Sequence, residues 1–177
     1  MSERQRLFFA LWPDDAMREA LTPLLKLKQE CGGRAHPPAN LHITLNFLGA
    51  VAAETRDCLE LAAANIVISP FDLTLDRFGY WPRPRVMWLG SSETPPPLTD
   101  LVMGLNRVVE QCGLQPERRP YHPHLTLLRK ARQAPLGSPP ELHWQAHDFV
   151  LAESVSTPAG VEYRVLRRWP LQEGERR

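Results

Sequence analysis

The chain has 177 residues, enough to bury the core of one full-sized domain. Its 21 basic and 20 acidic residues leave a formal net charge of +1, which excludes a chain-wide polyelectrolyte, so any contact with a charged polymer must come from local clusters. No apolar run reaches membrane-spanning length, and the run before Trp12-Pro13 is too short for a secretory segment; a cytoplasmic location with no membrane partner is expected.

In chain order, RLFFALW (about 6 to 12) is a dense apolar run suited to a buried strand, and Asp14-Asp15 opens a helix expected over about 14 to 30, closed by Gly32-Gly33. LHITLNF (about 41 to 47) alternates apolar and polar residues, AAETRDCLELAAANIV (about 52 to 66) reads as helix, and FDLTLDRF (about 71 to 78) alternates again. RVMWLG (about 85 to 90) is a strand. Leu98, Leu101, Val102, Leu105, Val108 and Val109 carry helical spacing that Gly113 ends. HLTLL and two late strands, about 145 to 156 and 161 to 169, complete the chain. Strand, helix and a strand bearing His-x-Thr thus occur twice. The half-polar strands and the late strand pair favour α+β with antiparallel sheets, in two lobes, over a parallel βα array. Cys31, Cys58 and Cys112 are odd in number and lack metal-site spacing, so reduced thiols are expected. The absence of an obvious exposed apolar helix face suggests a monomer.

His42-Ile-Thr44-Leu and His124-Leu-Thr126-Leu repeat one pattern. In a strand, alternate side chains share a face, so each copy buries its leucine and isoleucine positions and offers an imidazole and a hydroxyl on its polar side. Either histidine alone reads most simply as a half-exposed strand residue. Two such triplets, each with apolar spacers, are hard to obtain by chance from 6 histidines. Imidazole is the side chain that can act as base in one copy and acid in another near neutral pH, and threonine hydroxyls can donate to phosphate oxygens. Phosphodiester cleavage uses all four groups. A metal is the competing use: His122-Pro-His124 is the best argument for one, but the first copy has Asn40 at the matching position, and no cofactor is expected.

These two motifs, about eighty residues apart, together with RLFFALWP, LHITLNFLG, FGYWPRPRVMWLG and PYHPHLTLLR in that order, resemble the 2H phosphoesterase superfamily. Within it they are most similar to the bacterial RNA 2',3'-cyclic phosphodiesterases, also called the 2'-5' RNA ligase family. The resemblance implies one bilobal α+β domain over 1–177, with two antiparallel sheets, helices on the outer faces, and a pseudo-twofold central cleft to which each lobe lends a His-x-Thr strand (about 41–47 and 123–128). It implies metal-independent opening of a terminal RNA 2',3'-cyclic phosphate to a 2'-phosphate, with reversible 2'-5' joining in some members.

On this reading His42 and His124 are catalytic, with His124 as base and His42 as acid, and Thr44, Thr126 and Arg129 bind phosphate. Arg129 falls on the opposite strand parity from His124 unless the strand bulges. Tyr121 and His122 are candidates for the cleft lining. Phe47 is another, as a base-stacking residue, although its parity assigns it to the core. Arg118, Arg119, Arg129, Lys130 and Arg132 cluster around the second motif as a candidate RNA-backbone surface. The rival readings are a non-catalytic RNA-end binder and a cyclic phosphodiesterase acting on a nucleotide or ADP-ribose derivative.

Overall fold

The computed structural model describes residues 3–174. The chain begins with strand β1 (Gln5–Leu11) and α1 (Asp15–Leu21), where the Asp14 carboxylate accepts the Met17 N–H at 2.8 Å and so caps the helix. The helix expected over about 14 to 30 is broken into three pieces: α1, a 3-10 turn at Thr22–Leu27, and α2 (Lys28–Cys31). Pro23 sits at the first break, where it cannot supply a backbone donor. Next come β2 (Arg34–Ala35), a 3-10 turn at Pro38–Asn40, β3 (Ile43–Val51) and α3 (Ala53–Ala63). They are followed by β4 (Phe71–Leu75), β5 (Arg77–Trp81), β6 (Val86–Gly90), α4 (Pro96–Gln111), β7 (His124–Arg129), β8 (Leu142–Ala146), β9 (Asp148–Thr157) and β10 (Gly160–Pro170).

The fold is α+β, with a large antiparallel sheet in the order β10-β9-β1-β3-β7-β6-β5, β2 pairing onto β7, and a small sheet of β4 and β8. The strand expected over about 71 to 78 and that over about 145 to 156 each prove to be two strands, broken at Asp76 and His147. In both cases the first piece enters the small sheet and the second the large one. The middle of the large sheet is therefore a seam between β3 and β7, with β9-β1-β3 on one side mirrored by β7-β6-β5 on the other. This arrangement is the physical form of the internal duplication.

One face of the sheet carries the main core. Leu7, Phe9 and Leu11 of β1 pack there with Leu59 of α3, Leu101 and Leu105 of α4, and Leu73 and Trp144 of the small sheet. All six apolar positions picked out by their helical spacing in α4 are buried. The alternate residues Phe8 and Ala10 point to the opposite face, where Val150, Ala152, Trp12 and Tyr163 join them in a smaller apolar floor.

Cys58 of α3 and Cys112 at the end of α4 form a disulfide, with Cα atoms 5.8 Å apart; Cys31 is a buried free thiol. This corrects the expectation of three reduced cysteines. The two partners are 54 positions apart and meet only because α3 and α4 pack together, a proximity that linear spacing does not encode. Among the described residues no helix is long and apolar enough to cross a membrane.

Candidate active site

At the seam Ile43 lies opposite Leu125. Paired positions in an antiparallel ladder have a constant sum (43 + 125 = 168), so extending the register by one residue puts His42 opposite Thr126 and Thr44 opposite His124. The two motifs thus face each other about a local twofold axis, their apolar residues in the core and their polar ones on the other face. There they line a cleft of ≈ 210 Å³ that contains His42, Thr44, His124, Thr126, Phe47 and Arg129.

Both imidazoles are held in the same way. His42 Nδ1 is 2.7 Å from the Asn40 carbonyl oxygen and His124 Nδ1 is 3.0 Å from that of His122. A carbonyl only accepts, so in each ring Nδ1 carries the proton and donates it, leaving the lone pair on Nε2. The two differ in what Nε2 meets. That of His42 is 3.0 Å from Thr44 Oγ1, whereas that of His124 makes no hydrogen bond to the protein among the described residues. Burial holds His42 down at about 4, reinforced by the neighbouring Arg129 and His124 charges. Burial also lowers His124. The His42 ring stacks on Trp12 at 5.3 Å and is flanked by Phe8 at 4.9 Å and Tyr163 at 5.0 Å. Trp81 meets the edge of His124 at 4.7 Å. Behind it the Trp88 ring lies over Gly79 and Gly90, where any Cβ would collide with the indole.

The cleft owes Phe47 and Arg129 to matching irregularities. Against β1 the register skips Leu45, since Ala10 pairs with Thr44 and Phe9 with Asn46. Against β6 it skips Leu127, since Trp88 pairs with Thr126 and Met87 with Leu128. Each bulge lies three residues after its histidine and reverses the alternation beyond it. Phe47, assigned to the core by parity, is therefore 77% exposed and lines the cleft. Asn46, which unbroken alternation would place on the polar face beside Thr44, is buried and donates to Asn106 Oδ1 at 2.6 Å. In the second copy the same step turns Arg129 towards the cleft. Phe47 and Arg129 each stand five residues after a histidine and are equivalents under the local symmetry.

The sequence profile of the 2'-5' RNA ligase superfamily matches residues 13–158. The chain belongs to the 2'-5' RNA ligase superfamily. It is 39% identical over 175 residues to the RNA 2',3'-cyclic phosphodiesterase of Escherichia coli K12, covering 97% of this chain and 99% of that one. It is 33% identical over 174 residues to the protein of the same name from Archaeoglobus fulgidus, covering 92% and 98%. The fold matches the crystal structure of E. coli LigT in apo form with a TM-score of 0.87 at 37% identity, over 97% of this chain and 100% of that chain.

In this member of the superfamily the remaining predicted residues take supporting places. Tyr121 is not among the cleft-lining residues; its hydroxyl donates to the Thr44 carbonyl at 2.9 Å, and burial pushes its phenol upward, so that it stays a donor. His122 contributes its backbone carbonyl to His124 and does not line the cleft. Of the basic cluster only Arg129 lines it. Arg119 pairs with Glu117 at 3.1 Å on the surface, and the Arg132 side chain packs beside Gly32.

Several cleft residues escaped the sequence reading: Arg6, His36, Asn40, Ser154 and Tyr163. Asn40 is buried. Its side chain donates to the Val161 carbonyl at 2.8 Å and accepts the Tyr163 N–H at 3.3 Å, pinning the turn to β10 while its own carbonyl holds His42. Arg18 braces the same turn through the Pro38 carbonyl. Replacing Asn40 by alanine strands two backbone groups and frees the His42 anchor. The expected cost is about 1–3 kcal/mol in urea unfolding and a fall in turnover of roughly ten- to hundredfold from the misplaced imidazole.

Proposed function

We propose that this protein hydrolyses the terminal 2',3'-cyclic phosphate of RNA to a 2'-phosphate by acid–base catalysis between His42 and His124, without a metal. Superfamily membership and two near-full-length relatives named RNA 2',3'-cyclic phosphodiesterase support the activity. The observation that carries the mechanism is the pairing of two Nδ1-anchored imidazoles, each opposite the other motif's threonine. A phosphorus atom held at the seam would have one Nε2 on each side, with Thr44, Thr126 and Arg129 able to donate to its non-bridging oxygens.

Hydrolysis forms one P–O bond from water and breaks the P–O3' bond; the base takes the water proton and the acid protonates O3', so the phosphate remains on O2'. His124 suits the base, because its Nε2 has no protein partner among the described residues and is free to accept from water. His42 suits the acid, because its cage of Phe8, Trp12 and Tyr163 shields the proton from bulk solvent. The phosphate anion supplies the charge that raises His42 from its low value in the empty cleft. Exchanging water for a 5'-hydroxyl in the same step yields a 2'-5' phosphodiester, so reversible ligation needs no additional group. A substrate with sulfur in place of O3' needs no acid. It should restore turnover to His42→Ala and not to His124→Ala, and the reverse pattern would exchange the two roles.

The partner class is RNA ends or nucleotides bearing a cyclic phosphate. Phe47, exposed at the rim 6.3 Å from Phe8, supports a base on the substrate side over a bare phosphate.

A further inference from the structure

A third histidine lies in the cleft, outside both motifs. His36 follows β2, whose Arg34 and Ala35 pair with Arg129 and Leu128 of β7, and its backbone N–H donates to the Leu127 carbonyl at 2.9 Å. The Leu127 bulge that turns Arg129 into the cleft therefore also seats His36 beside it. The side chain is 7% exposed, lines the cleft, and has no hydrogen bond to either ring nitrogen among the described residues. Neither ring nitrogen is sealed from solvent, so both are unspent and open to a ligand in the cleft.

The surroundings specify the charge of that ligand. Arg129 faces His36 from β7, His42 from the start of β3, and the Tyr163 ring from β10 at 5.9 Å. The titratable and charged cleft residues besides Tyr163 are Arg6, His36, His42, His124 and Arg129, with no carboxylate among them. Two histidines could serve the proton transfers of the proposed reaction, which leaves His36 without a role in it.

We propose that His36 is a phosphate-binding residue that holds the terminal phosphate jointly with Arg129 and takes up a proton as that phosphate passes from one negative charge to two. The inference rests on the reading that a phosphate occupies this cleft. A cyclic phosphodiester carries one charge, whereas the monoester made from it gains a second near pH 6. Burial and the Arg129 and His42 charges keep His36 neutral in the empty site, at about 4, so it adds no positive charge there before a phosphate arrives. The second charge of the product is what makes its protonation favourable. His36 thus binds product more tightly than substrate, and more so as the pH falls.

The test uses inorganic phosphate and no turnover, so it is independent of whether the cyclic phosphate is cleaved. Phosphate is titrated into the full chain at pH 6 and pH 8 by calorimetry in buffers of different ionisation heat, with imidazole resonances followed by NMR. We expect a large shift of the His36 ring signals at pH 6 with little net proton uptake, because the proton that His36 gains is the one the phosphate gives up in passing to two charges. His36→Val should weaken phosphate at least fivefold at pH 6 and under threefold at pH 8. His36→Gln, which keeps a donor but cannot be protonated, should match the unaltered protein within twofold at pH 8 and fall with His36→Val at pH 6. The inference is overturned if the folded variants bind phosphate within twofold of the unaltered protein at both pH values. It is equally overturned if the unaltered protein binds phosphate with its His36 signals unmoved, or does not bind phosphate. If His36→Val fails to fold, the glutamine variant and the NMR titration of the unaltered protein decide.

Discussion

His42→Ala and His124→Ala should each turn over an RNA 2',3'-cyclic phosphate at no more than about a hundredth of the unaltered rate, because on the proposed mechanism each removes one of the two proton transfers, and positioned acid–base catalysis contributes 10²–10⁴-fold. The loss should fall mainly on kcat. Thr44, Thr126 and Arg129 remain to hold the phosphate, so KM should change far less. The double variant should be little slower than the worse of the singles, since two groups that move protons in one step act as a unit and their effects do not add. Either single variant that retains a tenth of the activity would refute paired catalysis. A wild-type protein that saturates with cyclic-phosphate RNA and leaves it intact would point instead to a binder of RNA ends.

Acid should destabilise this protein steeply, and phosphate should protect it. In the folded chain burial holds both His36 and His42 at about 4, below the 6.5 of an ordinary histidine. Below pH 6.5 the unfolded chain therefore binds protons that the fold refuses. Stability is fully present above that pH and is lost as the pH falls towards 4, at up to 1.36 kcal/mol per unit for each group. Between pH 7 and pH 5 each histidine should cost about 2 kcal/mol, a substantial part of the 5–15 kcal/mol typical of a domain. Urea unfolding at pH 7, 6 and 5 would measure it as a falling midpoint at constant slope. His36→Val should remove about half of the pH dependence, and millimolar phosphate should flatten it by favouring the charged imidazoles in the folded state. An unchanged midpoint from pH 7 to pH 5 would mean that neither ring is buried neutral.

The motif strands were legible because strand alternation has a period of two, and His42, Thr44, His124 and Thr126 all obey it up to the threonine. Beyond the threonine the reading failed at Phe47 and Asn46, because the bulge at Leu45 is a property of the pairing with β1 and leaves no mark on β3's own residues. The same uncertainty clouded Arg129, whose position depends on the bulge at Leu127. Placing the two copies side by side would have offered a signal, since whatever irregularity turns one fifth residue outward should also turn the other. The anchors of the imidazoles were hidden for a different reason. Asn40 and His122 looked like an asymmetry that counted against a shared metal role, yet both serve through a backbone carbonyl that any residue provides. His36 carried no motif at all, and only the pairing of β2 with β7 brings it to the cleft.

The helix break at Pro23 was available from proline's missing donor, and the strand breaks at Asp76 and His147 were not. What divides each of those two strands is the choice between two sheets. Cys58 and Cys112 show the same limit, because their proximity is created by packing between α3 and α4.

The most direct test of the account is incubation of the purified protein with an RNA oligonucleotide ending in a 2',3'-cyclic phosphate, in excess chelator, with the product's phosphate position read by phosphorus NMR. Paired imidazoles bracketing one phosphorus predict undiminished conversion to the 2'-phosphate. Conversion abolished by the chelator, or a 3'-phosphate product, would contradict it.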